Sequence, residues 1–467
     1  MTQSARWIAP AVVLLLLLAA CDAPQPAGED ASPPNIVLIV ADDLGYGDLG
    51  AYGQQEIMTP RLDRMAEEGL RFTQFYAGST VCAPSRSVLM EGRHTGRTYI
   101  RGNKEVRPYG QEPIPDSLVT MAEVLQEAGY RTGLVGKWGL GGPDTPGHPN
   151  NQGFDHFFGY LGQRHAHNYY PEFLFYNEER VDVPGNVLPE PRRGDGAGEA
   201  IEKVTYSHDL FADSALAFID RNRNRPFFLF MALTIPHANN EAGDRGMEVP
   251  DYGPYADEEW PEPAKGLAAM ISRMDADVGR VLDRLQEHGI AENTLVLFTS
   301  DNGPHAEGGN DPHYFDSNGP LRGIKRDLYE GGIRVPTIAW WPGRVEAGSQ
   351  TDYAGYFPDL LPTFADLAGT APPSDIDGLS MVRTLMDRPA DQENHEYLYW
   401  EFYEGGMAQA VRMGSWKGVR LPDGEIELFD LEEDLGETND VAAEHPDVIA
   451  QIGAVMEEAH HPSPLDW

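Results

Sequence analysis

The sequence predicts an α/β fold: one large domain on a mostly parallel central sheet flanked by helices, then a small C-terminal antiparallel-sheet subdomain. Three observations carry this. Strand-like and helix-like patterns alternate from Asn35 onward, as they do when helices cover a sheet. The strand-like stretches are continuous apolar runs, such as Ile36-Val37-Leu38-Ile39-Val40, which suit strands buried on both faces. After Asn394 the pattern changes to short strand-like pieces at 397–402, 409–413 and 416–419.

The run 36–40 is the first strand. Thr59-Pro60 reads as an N-cap and a first-turn proline, opening a helix through Met65 to Gly69. A second helix covers 118–128 and is closed by Gly129; strands follow at 131–135 and 227–234. The clearest helix is 267–288, where Leu267, Met270, Ile271, Met274, Val278, Val281, Leu282 and Leu285 step by three and four. Gly289 ends it, and Leu295-Val296-Leu297-Phe298 is the next strand. The stretches 177–199, 239–265 and 304–319 have no period. Loops of that length in a compact domain usually form functional rims.

Composition narrows the function classes. The 467 residues include 35 Lys plus Arg against 74 Asp plus Glu, a net charge of −39. Such a surface repels nucleic acid, and fits a salty habitat where screening weakens self-repulsion. An anionic ligand requires basic residues gathered in one pocket.

Residues 1–21 read as a targeting segment. Arg6 precedes an apolar run, 11–20, that is too short to span a membrane. The run ends in Leu18-Ala19-Ala20-Cys21, which resembles the lipobox of bacterial lipoproteins and implies a lipid on Cys21. The alternative is an ordinary signal peptide with an incidental cysteine. One of only two cysteines in the chain stands at the expected place, which favours lipidation. Residues 22–34 then form a tether. The expected location is an exported bacterial lipoprotein, periplasmic or on the cell surface, held to the membrane through its lipid alone. Cys82 is left without a disulfide partner and calls for a chemical explanation.

The strands deliver polar residues to one edge. The first runs into Asp42-Asp43, the second into Gly136-Lys137, the third into Pro236-His237 and the fourth into Ser300-Asp301-Asn302. Ligands of open α/β sheets bind at the carboxyl ends of strands. Asp42, Asp43, Asp301 and Asn302 offer hard oxygen ligands, which suit Ca²⁺ first and Mg²⁺ second, and not zinc. Pro84 fits a first helical turn, so Cys82 belongs at a helix N-terminus, where the dipole favours an anion. Arg86 lies one turn on, on the same face.

The segment Cys82-Ala83-Pro84-Ser85-Arg86, continued by Leu89 and Gly92-Arg93, resembles the signature of type I sulfatases, formylglycine-dependent members of the alkaline phosphatase superfamily. Similarity extends through Asp42-Asp43-Leu44-Gly45-Tyr46-Gly47-Asp48, Gly136-Lys137-Trp138, Ser300-Asp301-Asn302-Gly303 and Leu321-Arg322-Gly323-Ile324-Lys325, followed by Tyr329-Glu330-Gly331-Gly332. The resemblance implies an alkaline phosphatase-like fold, with a catalytic domain over 35–385 and a small subdomain over 386–467. It implies that a maturation enzyme oxidises Cys82 to formylglycine and that Asp42, Asp43, Asp301 and Asn302 bind Ca²⁺ in contact with residue 82. It further implies that Arg86 holds the nucleophile, that Lys137 and Lys325 grip sulfate oxygens, and that His237 protonates the leaving alcohol.

The family usually carries Gly-Lys-Trp-His, but here the run is Gly136-Lys137-Trp138-Gly139. His167 or His165, from Gln163-Arg164-His165-Ala166-His167, is the expected substitute. Gly139 together with 165–171 resembles sulfatases of sulfated glycans, so galactose or N-acetylgalactosamine sulfates are the expected substrates. Arg322 and the rings of Tyr169, Tyr170 and Trp260 are candidate sugar contacts. Three other readings stand beside this one: a phosphodiesterase or phosphonate monoester hydrolase of the same superfamily, a non-catalytic lipoprotein that binds sulfated glycans, and a cysteine hydrolase using Cys82 with His237.

Overall fold

The computed structural model describes residues 1–2, 33–108, 110–190 and 194–467. Cys21 and nearly all of the targeting segment and tether lie outside the described residues. Among the described residues no helix is long and apolar enough to cross a membrane.

One sheet contains β1 (Asn35–Asp42), β2 (Leu70–Phe72), β3 (Arg131–Lys137), β4 (His156–Tyr160), β5 (Phe173–Tyr176), β6 (Glu179–Asp182), β7 (Phe227–Pro236), β8 (Thr294–Ser300), β9 (Thr337–Trp340) and β10 (Ser349–Thr351). Its spatial order is β10-β2-β9-β8-β1-β7-β3-β4-β5-β6. The central block β8-β1-β7-β3-β4 is parallel throughout, with antiparallel strands added at each side.

Six helices cover the sheet: α1 (Pro60–Glu67), α2 (Cys82–Glu91), α3 (Met121–Glu127), α4 (Ser207–Asn222), α5 (Glu262–Glu287) and α6 (Leu360–Leu367). Alternate residues of β1 enter two different cores. Val37 and Ile39 pack with Leu62 and Met65 of α1, Phe218 of α4 and the apolar stripe of α5. Ile36, Leu38 and Val40 pack with Val88 and Leu89 of α2, Leu125 of α3 and Phe364 of α6. Burial on both faces is why β1 reads as an unbroken apolar run, each such side chain contributing roughly 1.5–3 kcal/mol.

The observed α5 begins five residues before the periodic stripe, because Pro261 is its N-cap and a proline occupies its first turn. Thr59 is the N-cap residue of α1, but its side chain does not cap the helix. Asp275 of α5 does so instead, accepting from the N–H groups of Arg61 and Leu62 at 3.0 and 2.7 Å.

The C-terminal sheet is a meander of four strands, β11 (Leu398–Phe402), β12 (Ala408–Met413), β13 (Trp416–Arg420) and β14 (Ile426–Asp430). Helix α7 (Pro446–Ala459) packs Ile452 and Met456 against Tyr399, Val411 and Leu428. The sheet is tied to the short helix Glu330–Ile333, which precedes β9, by a buried ionic cluster in which Lys417 Nζ donates to Glu330 Oε1 at 2.9 Å and to Glu437 Oε1 at 3.4 Å.

Candidate active site

Because the central strands are parallel, their carboxyl ends share one edge. Asp42 is the last residue of β1 and Lys137 the last of β3, His237 directly follows β7, and Asp301 and Asn302 follow β8. Asp43 turns the chain with φ of 65°, a left-handed conformation that Asp tolerates better than most residues. Its N–H donates to Asp301 Oδ1 at 3.2 Å, which ties two strand ends together.

Helix α2 starts at Cys82 with no side-chain cap from Val81, and Asn103 Oδ1 accepts from the Ala83 N–H at 3.1 Å. Cys82 Sγ donates to Asp42 Oδ1 at 3.2 Å. Arg86, one turn on, donates from Nη2 to Asp301 Oδ2 at 2.8 Å and from Nη1 to the Lys137 carbonyl at 2.7 Å. Nη2 also lies 3.7 Å from Asp42 Oδ2. One guanidinium therefore pins three strand ends.

Two lysines complete the pattern. Lys137 Nζ donates to Asp42 Oδ2 at 2.6 Å. Lys325 arrives from the glycine-containing loop after 304–319, and its Nζ lies 2.8 Å from Asp43 Oδ2, 3.0 Å from His237 Nε2 and 3.5 Å from Glu307 Oε2. His237 Nδ1 lies 2.6 Å from the Ala238 carbonyl oxygen. Only a protonated Nδ1 can make that bond, so Nε2 is the acceptor that faces Lys325. The His237 ring stacks between His167 and His305, with centroids at 4.8 and 5.6 Å.

Burial and pairing set the charges. Burial raises the Asp42 carboxyl, but the Lys137 ammonium and the Arg86 guanidinium outweigh it and hold Asp42 below the usual carboxylate range. The Lys325 ammonium does the same for Asp43. Asp301 is pushed up to about 7 by burial and by its neighbour Asp42. Burial and the Lys325 ammonium drive His237 down to about 3, which keeps the imidazole neutral. The Cys82 thiol rises well above its ordinary value through burial and the adjacent Asp42 carboxylate. The helix N-terminus is where the sequence puts Cys82, but the dipole loses to these two effects. A neutral thiol donating to a carboxylate is a poor thiolate nucleophile, which removes support from the cysteine-hydrolase reading.

The donor set fits a hard divalent cation. Ligand atoms of Asp42, Asp43, Cys82 and His237 lie within 4.8 Å of one another. Asn302 Nδ2 donates to Asp43 Oδ1 at 2.6 Å, while its Oδ1 is buried with no hydrogen-bond partner. An orphaned carbonyl oxygen beside clustered carboxylates is what a cation ligated by oxygen would satisfy.

A family model described as Sulfatase matches residues 34–370, and one described as N-sulphoglucosamine sulphohydrolase, C-terminal, matches 323–461. The chain belongs to the sulfatase family. Among its relatives, human N-acetylgalactosamine-6-sulfatase is 37% identical over 407 residues, covering 82% of this chain and 71% of the relative. Human arylsulfatase A is 35% identical over 408 residues, covering 83% and 75%. The crystal structure of Ps i-CgsB in complex with k-i-k-neocarrahexaose superimposes with a TM-score of 0.76 at 28% identity, covering 92% of this chain and 94% of that one. The protein is accordingly a sulfuric ester hydrolase with the sulfatase fold.

In this sulfatase Asp42, Asp43, Cys82, Arg86, Lys137, His237, Asp301, Asn302 and Lys325 form one buried group. Of the two histidines considered for the place of the missing one, His167 stands beside His237 and bonds Glu241 Oε2 through Nδ1 at 3.1 Å. His165 lies among Tyr160 and Phe173, and burial followed by the nearby Arg180 lowers it to about 3. That aromatic nest is a packing environment.

The Tyr169 ring is fully buried, and its hydroxyl donates to the carbonyls of Thr234 and His237. It offers no face to a sugar and instead supports the His237 backbone. Tyr170 is buried against Tyr206 and lines a separate cavity of about 250 Å³ with Lys203, Arg245 and Glu248. Trp260 packs on Tyr255 and Phe315. Arg322 donates to the Glu437 carbonyl at 2.7 Å and lies over Tyr329, at the junction with the small sheet.

Sequence reasoning missed His305, Glu307 and Glu241. The first two lie two and four residues beyond Ser300-Asp301-Asn302-Gly303, and that nearness to a strand end was the available signal. Glu241 sits in an aperiodic loop and carries no local signal.

Proposed function

We propose that this sulfatase removes sulfate from a carbohydrate of the galactose or N-acetylgalactosamine sulfate type, with a formylglycine made from Cys82 and a bound Ca²⁺. The observation that carries the reading is the meeting of Cys82 with three carboxylates, one orphaned amide oxygen, two lysines and His237 at one sheet edge. The names of the relatives, which act on N-acetylgalactosamine sulfate in one case and hold a carrageenan oligosaccharide in another, support the substrate class.

Asp42, Asp43, Asp301 and Asn302 would hold the cation. Hydrated formylglycine would supply a hydroxyl nucleophile for sulfur, and a cation held there would lower the pKa of that hydroxyl. Arg86 orients residue 82 through the carboxylates it pins. The Lys137 and Lys325 ammonium groups meet developing charge on the sulfate oxygens. His237, held by the Ala238 carbonyl, directs Nε2 into the site, where Nε2 would take a proton from the Lys325 ammonium it faces and pass it to the leaving oxygen. Residues 35–385 would form the catalytic domain and 386–467 a small subdomain. Export, lipidation of Cys21, a periplasmic or cell-surface location and a formylglycine-generating partner complete the reading.

The test is mass spectrometry of the peptide containing Cys82, from protein made in a sulfatase-competent host, together with sulfate release from defined oligosaccharides. The expected result is an aldehyde or its hydrate at residue 82 and release from galactose or N-acetylgalactosamine sulfates. An unmodified thiol at full occupancy, with no release from any sulfate ester, would overturn the reading. Preferential turnover of phosphate or phosphonate esters would overturn the substrate assignment.

A further inference from the structure

Position 139 is where the Gly-Lys-Trp run lacks its histidine, and its surroundings show what stands there instead. Gly139 has φ of 83°, a conformation that side-chain-bearing residues rarely adopt. A Cβ built on it would overlap the Gln163 carboxamide, with Arg86 Cδ 3.7 Å away. The space a side chain at 139 would claim is therefore filled by Gln163, against the stem of Arg86. Gln163 comes from a fifth strand end, three residues beyond β4, which is the parallel neighbour of β3.

Gln163 is 8% exposed, yet neither its Nε2 nor its Oε1 has a hydrogen-bond partner. Arg86 Nε, in the same place, is also buried and unpartnered. A carboxamide buried with both ends unpaired is a large penalty with no return inside the protein alone. Native structures keep such groups where a ligand or ordered water completes them. The neighbouring Arg86 nitrogens are committed, Nη1 to the Lys137 carbonyl and Nη2 to Asp301. Free donor capacity at this corner of the site thus resides in Gln163 Nε2 and Arg86 Nε.

We propose that Gln163 is a further binding residue of the active site, donating from Nε2 to an oxygen of the sulfate ester or of the matured residue 82. The inference rests on the proposed function for the identity of that oxygen. It assigns to an amide the place that the family motif gives to an imidazole. An amide has no proton to exchange near neutrality, so Gln163 orients and stabilises, and any proton transfer stays with His237.

The deciding comparison is wild type against Gln163→Leu and Gln163→Glu. Leu has similar volume and removes both unpaired groups, so the melting temperature should hold or rise. Turnover of a sulfate ester should nevertheless fall, with kcat/KM lower by about 10- to 100-fold. Gln163→Glu keeps the shape but replaces the donor with a second anion, and should fall further. Binding of inorganic sulfate, read by calorimetry on the same proteins, should weaken in parallel. Gln163→Leu with kcat/KM and sulfate affinity both within twofold of wild type would show that the amide is only buried, and would overturn the inference. If wild type released no sulfate from any ester, the proposed function would fail. Sulfate affinity equal in wild type and Gln163→Leu would in that case overturn this assignment too, and a selective loss in the variant would uphold it.

Discussion

Arg86 and Asp301 form a charge-assisted hydrogen bond of 2.8 Å with both side chains out of contact with solvent. One partner comes from helix α2 and the other from the end of β8. Removing the arginine leaves Asp301 and Asp42 short of a counter-charge in a buried site. We expect Arg86→Met to cost about 3–5 kcal/mol of stability, measured by urea unfolding, and to abolish turnover. Arg86→Lys keeps the charge but not the two-pronged geometry, and should recover part of the stability and little of the activity. A stable, active Arg86→Met would rule out the pinning role.

If Asn302 Oδ1 is completed by a cation, calcium should raise the melting temperature by mass action, by about 2.7 kcal/mol in stability at one hundred times Kd. Asn302→Ala should shrink that shift, and chelator treatment should bring the two proteins together. An identical calcium response in the variant would exclude Asn302 as a ligand.

The two histidines His167 and His165 should separate cleanly. His167→Ala removes a ring stacked on His237 and the bond to Glu241, and should lower kcat/KM by about tenfold or more. His165→Phe places an apolar ring among Tyr160 and Phe173, and should leave kcat/KM within about twofold, since packing changes of similar volume are tolerated best. The reverse result would transfer the role to His165.

A pH effect is expected at the junction of the two sheets. Burial and the neighbouring Glu330 push Glu437 up to about 7, whereas Lys417 and Arg334 overcome burial to hold Glu330 at about 2. The folded state thus binds a proton at Glu437 that the unfolded chain releases near 4.5. The stability this proton linkage contributes is full below pH 4.5 and is lost as pH rises through about 7. Relative to Glu437→Gln, wild type should lose on the order of 1–3 kcal/mol across that window. Parallel melting curves from pH 4.5 to 7.5 would refute the linkage.

Much of the site was legible because its residues adjoin strands with strong signals. Asp42, Lys137, His237 and Asp301 each close an apolar run, and parallel strands bring such ends together. Loop residues whose partners are set by tertiary packing were harder to read. Lys325 was reached through the family motif, and Glu307 and Glu241 were not reached at all. Tyr169 shows the opposite error, since a tyrosine in a polar loop read as a sugar platform and proved to be a buried prop for His237. In the small sheet three of the four strands were visible, while the half-buried β14 was not. Helix α7, with its stepped Ile449, Ile452 and Met456, was not read from the sequence.

The chain order of the strands has a kinetic side. β1 is synthesised early, but its partner β8 lies far downstream, so that Asp43 and Asp301 are 258 residues apart. At roughly 5–20 residues per second, the ribosome needs roughly 10 to 50 s to supply that partner. Through that interval the run 36–40 has no completed core to enter, and Cys82, later sealed at 3% exposure, is open to solvent. The nascent chain is thus both prone to aggregate and chemically accessible. Any enzyme that must reach the Cys82 sulfur has its opportunity before the sheet closes.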